Sequence, residues 1–143
     1  MSVKQISVFL ENRPGRLNDM TQVMADHNID MIALSLAETK DFGIARLIVD
    51  DVYETMTTLK EAGFICRLTP VVAVEIPDEP GGLNKILRYF TAAGVNVEYM
   101  YAFMDKSVDS AFMIFRVEDA EQAEAALAGK GIRVAGQDDL SEL

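Results

Sequence analysis

Gly15 and Gly81 lie 66 positions apart (81 − 15), and their surroundings match in kind: Asn-Arg-Pro-Gly-Arg-Leu over 12–17 and Asp-Glu-Pro-Gly-Gly-Leu over 78–83. A repeat at a fixed offset constrains the chain strongly, because each half must then build a similar supersecondary unit. Before each Pro-Gly every second residue is apolar, Ile6, Val8 and Leu10 in one copy and Val72, Val74 and Ile76 in the other, the pattern of a strand with one face on a core. After each comes a helical period, with Leu17, Met20, Val23 and Met24 matched by Leu83, Ile86, Leu87 and Phe90. Each set falls on one stripe. The stretches "NIDMIALSLAE" and "GVNVEYMYAFM" then read as strands rich in β-branched and aromatic residues, with Ile29-Asp30 matching Val95-Asn96.

Two extra residues in the second copy change the offset to 68 (131 − 63), which pairs Leu59 with Leu127 and Gly63 with Gly131. The spacing predicts a helix over Val52–Ala62 with Asp51 as N-cap and Gly63 as a left-handed stop. Its counterpart is Ala120–Ala128, capped by Asp119. Short strands, "FICRL" and "IRV", close the units. Each half is therefore βαββαβ. The expected fold is α+β, two ferredoxin-like units over residues 1–70 and 71–143, each an antiparallel four-stranded sheet with its helices on one face.

Several function classes are disfavoured. The formal net charge of −10 argues against nucleic acid, whose phosphates need a basic surface. No apolar run is long enough for a bilayer. The alternating start "MSVKQISVFLE" reads as a strand rather than a signal peptide, which points to the cytoplasm. The single cysteine, Cys66, permits no internal disulfide and reads as a small core residue. His27 reads as a cation at a helix end. No metal-ligand set, nucleophile with its base, or phosphate loop can be assembled, so neither a metal, a cofactor nor a catalytic residue is expected. The tail "GQDDLSEL" reads as frayed and solvated.

The Pro-Gly loops carry the chemistry. A helix beginning at Pro14 or Gly15 has unpaired first-turn amides and the positive end of its dipole, a seat for a carboxylate. Pro at that place gives up no needed donor, and Gly keeps a Cβ out of the approach. A tight strand-to-helix turn alone would explain one copy; the second copy favours a ligand seat. Asn12, Arg13 and Arg16 supply donors and positive charge to the first loop, whereas Asp78, Glu79 and Gly82 stand at those places in the second. The carboxylate is therefore expected to prefer the first. Asp30, followed by Met31 at the start of the second strand, is the acceptor for an ammonium group, with Asn96 and Val97 in the matching places.

The strand, Pro-Gly loop, Leu, helix and "N-I-D" or "V-N-V" strand start resemble the ACT domain, twice over and across essentially the whole chain. That resemblance implies a free-standing regulatory module, without catalysis of its own, that binds an amino acid or related carboxylate between paired units. It implies a seat at Asn12, Arg13, Pro14, Gly15, Arg16 and Leu17, completed by Asn96 and Val97 or by Asp30 and Met31, and a second at Asp78, Pro80, Gly81, Gly82 and Leu83. Two other readings remain open: an interaction subunit that docks an enzyme without binding a ligand, and a small ferredoxin-like enzyme using Asp30, Glu38 or Glu98.

Strand parity places Arg46, Arg116, Tyr99, Tyr101, Phe103, Phe112 and Ile114 on sheet faces away from the helices. A lone unit would expose so aromatic a surface; sheet-on-sheet packing between two chains, or between the two units, would bury it, and a homodimer is expected.

Overall fold

The computed structural model describes residues 3–38, 42–77, 79–105 and 110–141. The chain divides into two compact units, Lys4–Thr69 and the part from Pro70 onward, which Val3 joins. In the first, β1 (Val3–Glu11), α1 (Arg16–Asp26), β2 (Met31–Glu38), β3 (Phe42–Val49), α2 (Val52–Glu61) and the beginning of β4 (Ile65–Pro77) follow in order. The strands lie as β2-β3-β1-β4, with Ser7 Oγ on β1 3.1 Å from Thr69 Oγ1 on β4. The rest of β4 opens the second unit, followed by α3 (Gly82–Ala92), β5 (Val97–Asp105), β6 (Ser110–Val117), α4 (Ala120–Leu127) and β7 (Arg133–Ala135). Here the order is β5-β6-β4-β7. Each unit is the expected α+β sheet with two helices, and the second adds a short one at its end.

Each unit buries its own core. Ile6, Val8 and Leu10 of β1 meet Met20 and Met24 of α1 and Leu59 of α2. Their counterparts Val72, Val74 and Ile76 meet Ile86 and Phe90 of α3 and Leu127 of α4. Cys66 packs against the first core, and its burial pushes the thiol pKa up.

The caps are placed as the sequence predicts. The Asp51 carboxylate accepts from the Glu54 amide at 3.1 Å, and Asp119 accepts from the Gln122 amide at 3.1 Å. His27 closes α1, its Nδ1 2.9 Å from the Val23 carbonyl oxygen. Asp51→Ala is expected to destabilise the protein by about 1 kcal/mol, the worth of an N-cap. A shift in the urea midpoint with unchanged slope would register it.

Three expectations need correction. The strands "FICRL" and "VAVEI" are one continuous strand, Ile65–Pro77, that runs through Pro70. The helix expected from Pro14 or Gly15 begins at Arg16. The tail is not simply frayed: α5 (Gln137–Ser141) buries Leu140 completely, and Asp139 accepts from the Gly136 amide at 2.7 Å. The register does place Tyr99, Tyr101 and Phe103 opposite Arg116, Ile114 and Phe112, away from the core of their unit. Phe112 and Ile114 are 1% and 0% exposed. Phe103 and Phe112 stack with their ring centroids 5.4 Å apart.

Candidate functional site

Glu11 ends β1, and the chain turns at once: the Arg13 amide donates to the Glu11 carbonyl oxygen at 2.8 Å, and the Arg16 amide to the Arg13 carbonyl oxygen at 3.4 Å. Gly15 then takes φ +90°, a left-handed conformation, and stands as the N-cap without a side-chain bond. The second copy repeats each step. Glu79 donates to Pro77 and Gly82 to Glu79, and Gly81 is the N-cap at φ +85°, again without a side-chain bond. Glycine is needed for that φ. It is not needed for room, since a Cβ at Gly15 or Gly81 would meet nothing within 4 Å.

The result is a contrast between helices of one chain. Aspartates close the first turns of α2 and α4. The homologous pair α1 and α3 keep the amides of Leu17 and Asn18, and of Leu83 and Asn84, uncapped. These amides and the positive end of the dipole face the open loop, and the arrangement suits a carboxylate. Asn18 and Asn84 match at the same offset, a correspondence that sequence reading missed although it was visible.

The charges of the first loop are not free, as the sequence had suggested. Arg13 Nε lies 2.9 Å from Glu11 Oε2, and Arg16 approaches Glu11 at 4.0 Å and Asp19 at 3.4 Å. The Arg16 guanidinium also covers the Phe64 ring at 4.7 Å. Two carboxylates thus offset two arginines, and the loop is neutral rather than basic. Asn12 Nδ2 points at Glu38 Oε2, 3.4 Å away. The hydrogen bond and charge of Arg13 hold the Glu11 carboxyl below the ordinary glutamate value, outweighing a small desolvation and aided by Arg16. The ion pair therefore contributes above the unfolded carboxyl's titration range and is lost as pH falls through the lowered folded value. A carbon-detected NMR titration should give Glu11 a depressed midpoint, and Arg13→Gln should raise it.

Asp30 precedes β2 and is exposed. Met31 pairs with Val49 at one end of β3, whereas Glu11 pairs with Phe42 at the other. The eight residues of β3 span roughly 23 Å. Asp30 and Met31 therefore lie at the far end of their unit from the Gly15 loop, and the two halves of a small-molecule site cannot meet there. The same holds in the second unit, where Val97 pairs with Val117 and Pro77 with Ser110. Asn96 is exposed and Val97 half-buried. Asp78 lies outside the described residues. Pro80 and Gly81 are exposed, and Gly82 and Leu83 are half-buried in the first turn of α3. Among the described residues no group of three His, Cys, Asp or Glu could hold a metal ion, and no helix is long and apolar enough to cross a membrane.

Comparison with known proteins agrees with this architecture. The family described as ACT domain pair matches residues 1–143. Protein BT0572 from Bacteroides thetaiotaomicron superposes with a TM-score of 0.93 at 38% identity, covering 100% of this chain and 98% of that one. The regulatory subunit of aspartate kinase from Thermus thermophilus, in its ligand-free form, gives 0.66 at 21% identity over 89% of each chain. The corresponding subunit from Thermus flavus gives 0.62 at 19% identity, over 89% of this chain and 91% of that one. At those identities the two kinase subunits show the fold alone. No curated protein matches. The chain belongs to the ACT domain pair family.

Proposed function

We propose that the protein is a non-catalytic regulatory sensor of the cytoplasm that binds an amino acid or related small carboxylate. Its modules are residues 1–70 and 71–143. The observation that carries this reading is the pair of open first turns on α1 and α3 beside the capped turns of α2 and α4. A cap is worth about 1 kcal/mol, and its omission at both homologous places is accounted for if a ligand's carboxylate supplies the missing acceptor.

In this reading the first loop, Asn12 to Leu17, receives the carboxylate in preference to the second. Glu11 and Asp19 cancel its arginines, so the preference rests on neutrality against the acidic Asp78 and Glu79. The candidate acceptors for the ammonium group lie about a strand's length from the loop of their own unit, too far to serve a ligand seated there. The acceptor therefore comes from the strand start of a different module: Asn96 and Val97, or Asp30 and Met31. Pro80, Gly81, Gly82 and Leu83 form the weaker seat. Because the ligand joins modules, it favours one packing over another, and that differential affinity would pass occupancy to an enzyme partner. A homodimer supplies further modules. Leu34 and Leu36 on edge strand β2, 41% and 52% exposed, with Phe42 of β3 at 56%, favour such an association and equally suit an interaction subunit that docks an enzyme.

Thermal unfolding against a panel of amino acids and small carboxylates separates these readings. A sensor gains several degrees with one ligand class, since binding to the native state alone raises apparent stability. No response across the panel leaves the docking subunit.

A further inference from the structure

The second half of the chain carries a group of side chains that the first half lacks. At the repeat offsets Lys85, Arg88 and Tyr89 of α3 replace Asp19, Gln22 and Val23 of α1, and Lys130 replaces Ala62. Lys85, Arg88 and Tyr89 line a hollow of about 380 Å³, within the size range of small-molecule pockets. Lys130 Nζ stands 5.7 Å from the centre of the Tyr89 ring.

Tyr89 packs on the core of its unit, but the fold does not call for the three cations beside it. α1 makes the same helix in the same place without them, and Asp19 in its first turn complements the dipole. α3 has no acid in its first turn and sets Lys85 close behind it, where a cation is disfavoured. Nor do the cations serve as internal ion pairs. The ion pairs of Arg13, Arg16, Arg116 and Arg133 lie elsewhere, and none of them engages Lys85, Arg88 or Lys130. Glu121 and Glu124 lie on α4, which packs against α3, yet neither pairs with Lys85, Arg88 or Lys130. In a chain with 23 acidic against 13 basic side chains, unpaired cations gathered round one phenol mark a locally positive site.

We propose that this hollow binds a small organic phosphate. A phosphate dianion matches several convergent cations, whereas one carboxylate is satisfied by one. Arg88 supplies the planar fork, Lys85 a point charge, and Tyr89 a hydroxyl donor with a ring against which the organic part lies. Lys130, 5.7 Å from the centre of the Tyr89 ring, adds a third positive charge nearby. Lys85 and Arg88 lie on the exposed side of α3, while Tyr89 is half-buried and packs with Leu83, Ile86, Leu87 and Phe90 against the core, so it is the edge of its ring that borders the hollow. It is chemically distinct from the amino-acid seats at the Pro-Gly loops and would bring a second class of effector to the same protein.

The test is a titration of the full chain with pyrophosphate, followed by backbone amide NMR. Saturable shifts at Lys85 to Tyr89 and at Lys130 are expected. Arg88→Ala should weaken binding at least tenfold, while Lys60→Ala, an equal loss of charge on α2, leaves it unchanged. Arg88 and Lys60 are both exposed, so the variants keep the fold. Shifts spread evenly over all lysines and arginines, equal weakening by Lys60→Ala, or shifts centred on Gly81 to Leu83 would each overturn the proposal. So would a response to an acidic peptide with none to pyrophosphate.

Discussion

Replacing Gly15 with valine is expected to weaken amino-acid binding about a hundredfold while both units stay folded. Two first-turn amides donating to a carboxylate are charge-assisted bonds worth roughly 1.5–3 kcal/mol each, and loss of most of that contribution is about two powers of ten in affinity. The seat depends on φ +90° at Gly15, which a β-branched residue resists at a cost of roughly 1–2 kcal/mol. The loop must then move, and the amides turn with it. No packing is broken, because the Cβ meets nothing within 4 Å. Calorimetric titration alongside far-UV circular dichroism would measure both parts. Unchanged affinity would mean that the ligand does not use this turn.

The largest loss of stability should come from Phe90→Ala. Phe90 is 1% exposed and meets the Phe115 ring edge-on at 5.1 Å, holding α3 against β6. Truncating a buried phenylalanine costs about 3–5 kcal/mol through lost burial and the cavity left behind. The protein has no tryptophan and four tyrosines. Tyr89, Tyr99 and Tyr101 lie in the second unit and only Tyr53 in the first, so urea unfolding followed by tyrosine fluorescence reports chiefly the damaged half. A loss below about 1 kcal/mol would show that this core is not packed as described.

Periodicity and repetition made the elements legible. Alternation in β1 and β4, the stripes on α1 and α3 and the caps at Asp51 and Asp119 are local patterns, and each chooses its structure within a few residues. The strands that end one unit and begin the next read as two because the repeat divides them at residue 70, whereas β4 runs through Pro70 without a break. Leu140 sits among acids and polar residues, so nothing nearby marked α5 as anchored. The site was half legible. Its loops are defined by local chemistry, Pro-Gly before a helix, and were readable twice. The neutralisation of Arg13 and Arg16 by Glu11 and Asp19 depends on how side chains fold back over the turn. The separation of Asp30 from Gly15 depends on register across β3. Neither is encoded in spacing along the chain.

The central claim is that the open first turn of α1 holds a ligand's carboxylate. Amide NMR on the chain saturated with whichever amino acid stabilises it most tests this directly. The Leu17 and Asn18 amides should shift strongly downfield on binding, as donors gaining a charged acceptor do, while Glu54 and Gln122, already capped, stay in place. If the ligand binds and the Leu17 and Asn18 amides do not move, the account is wrong.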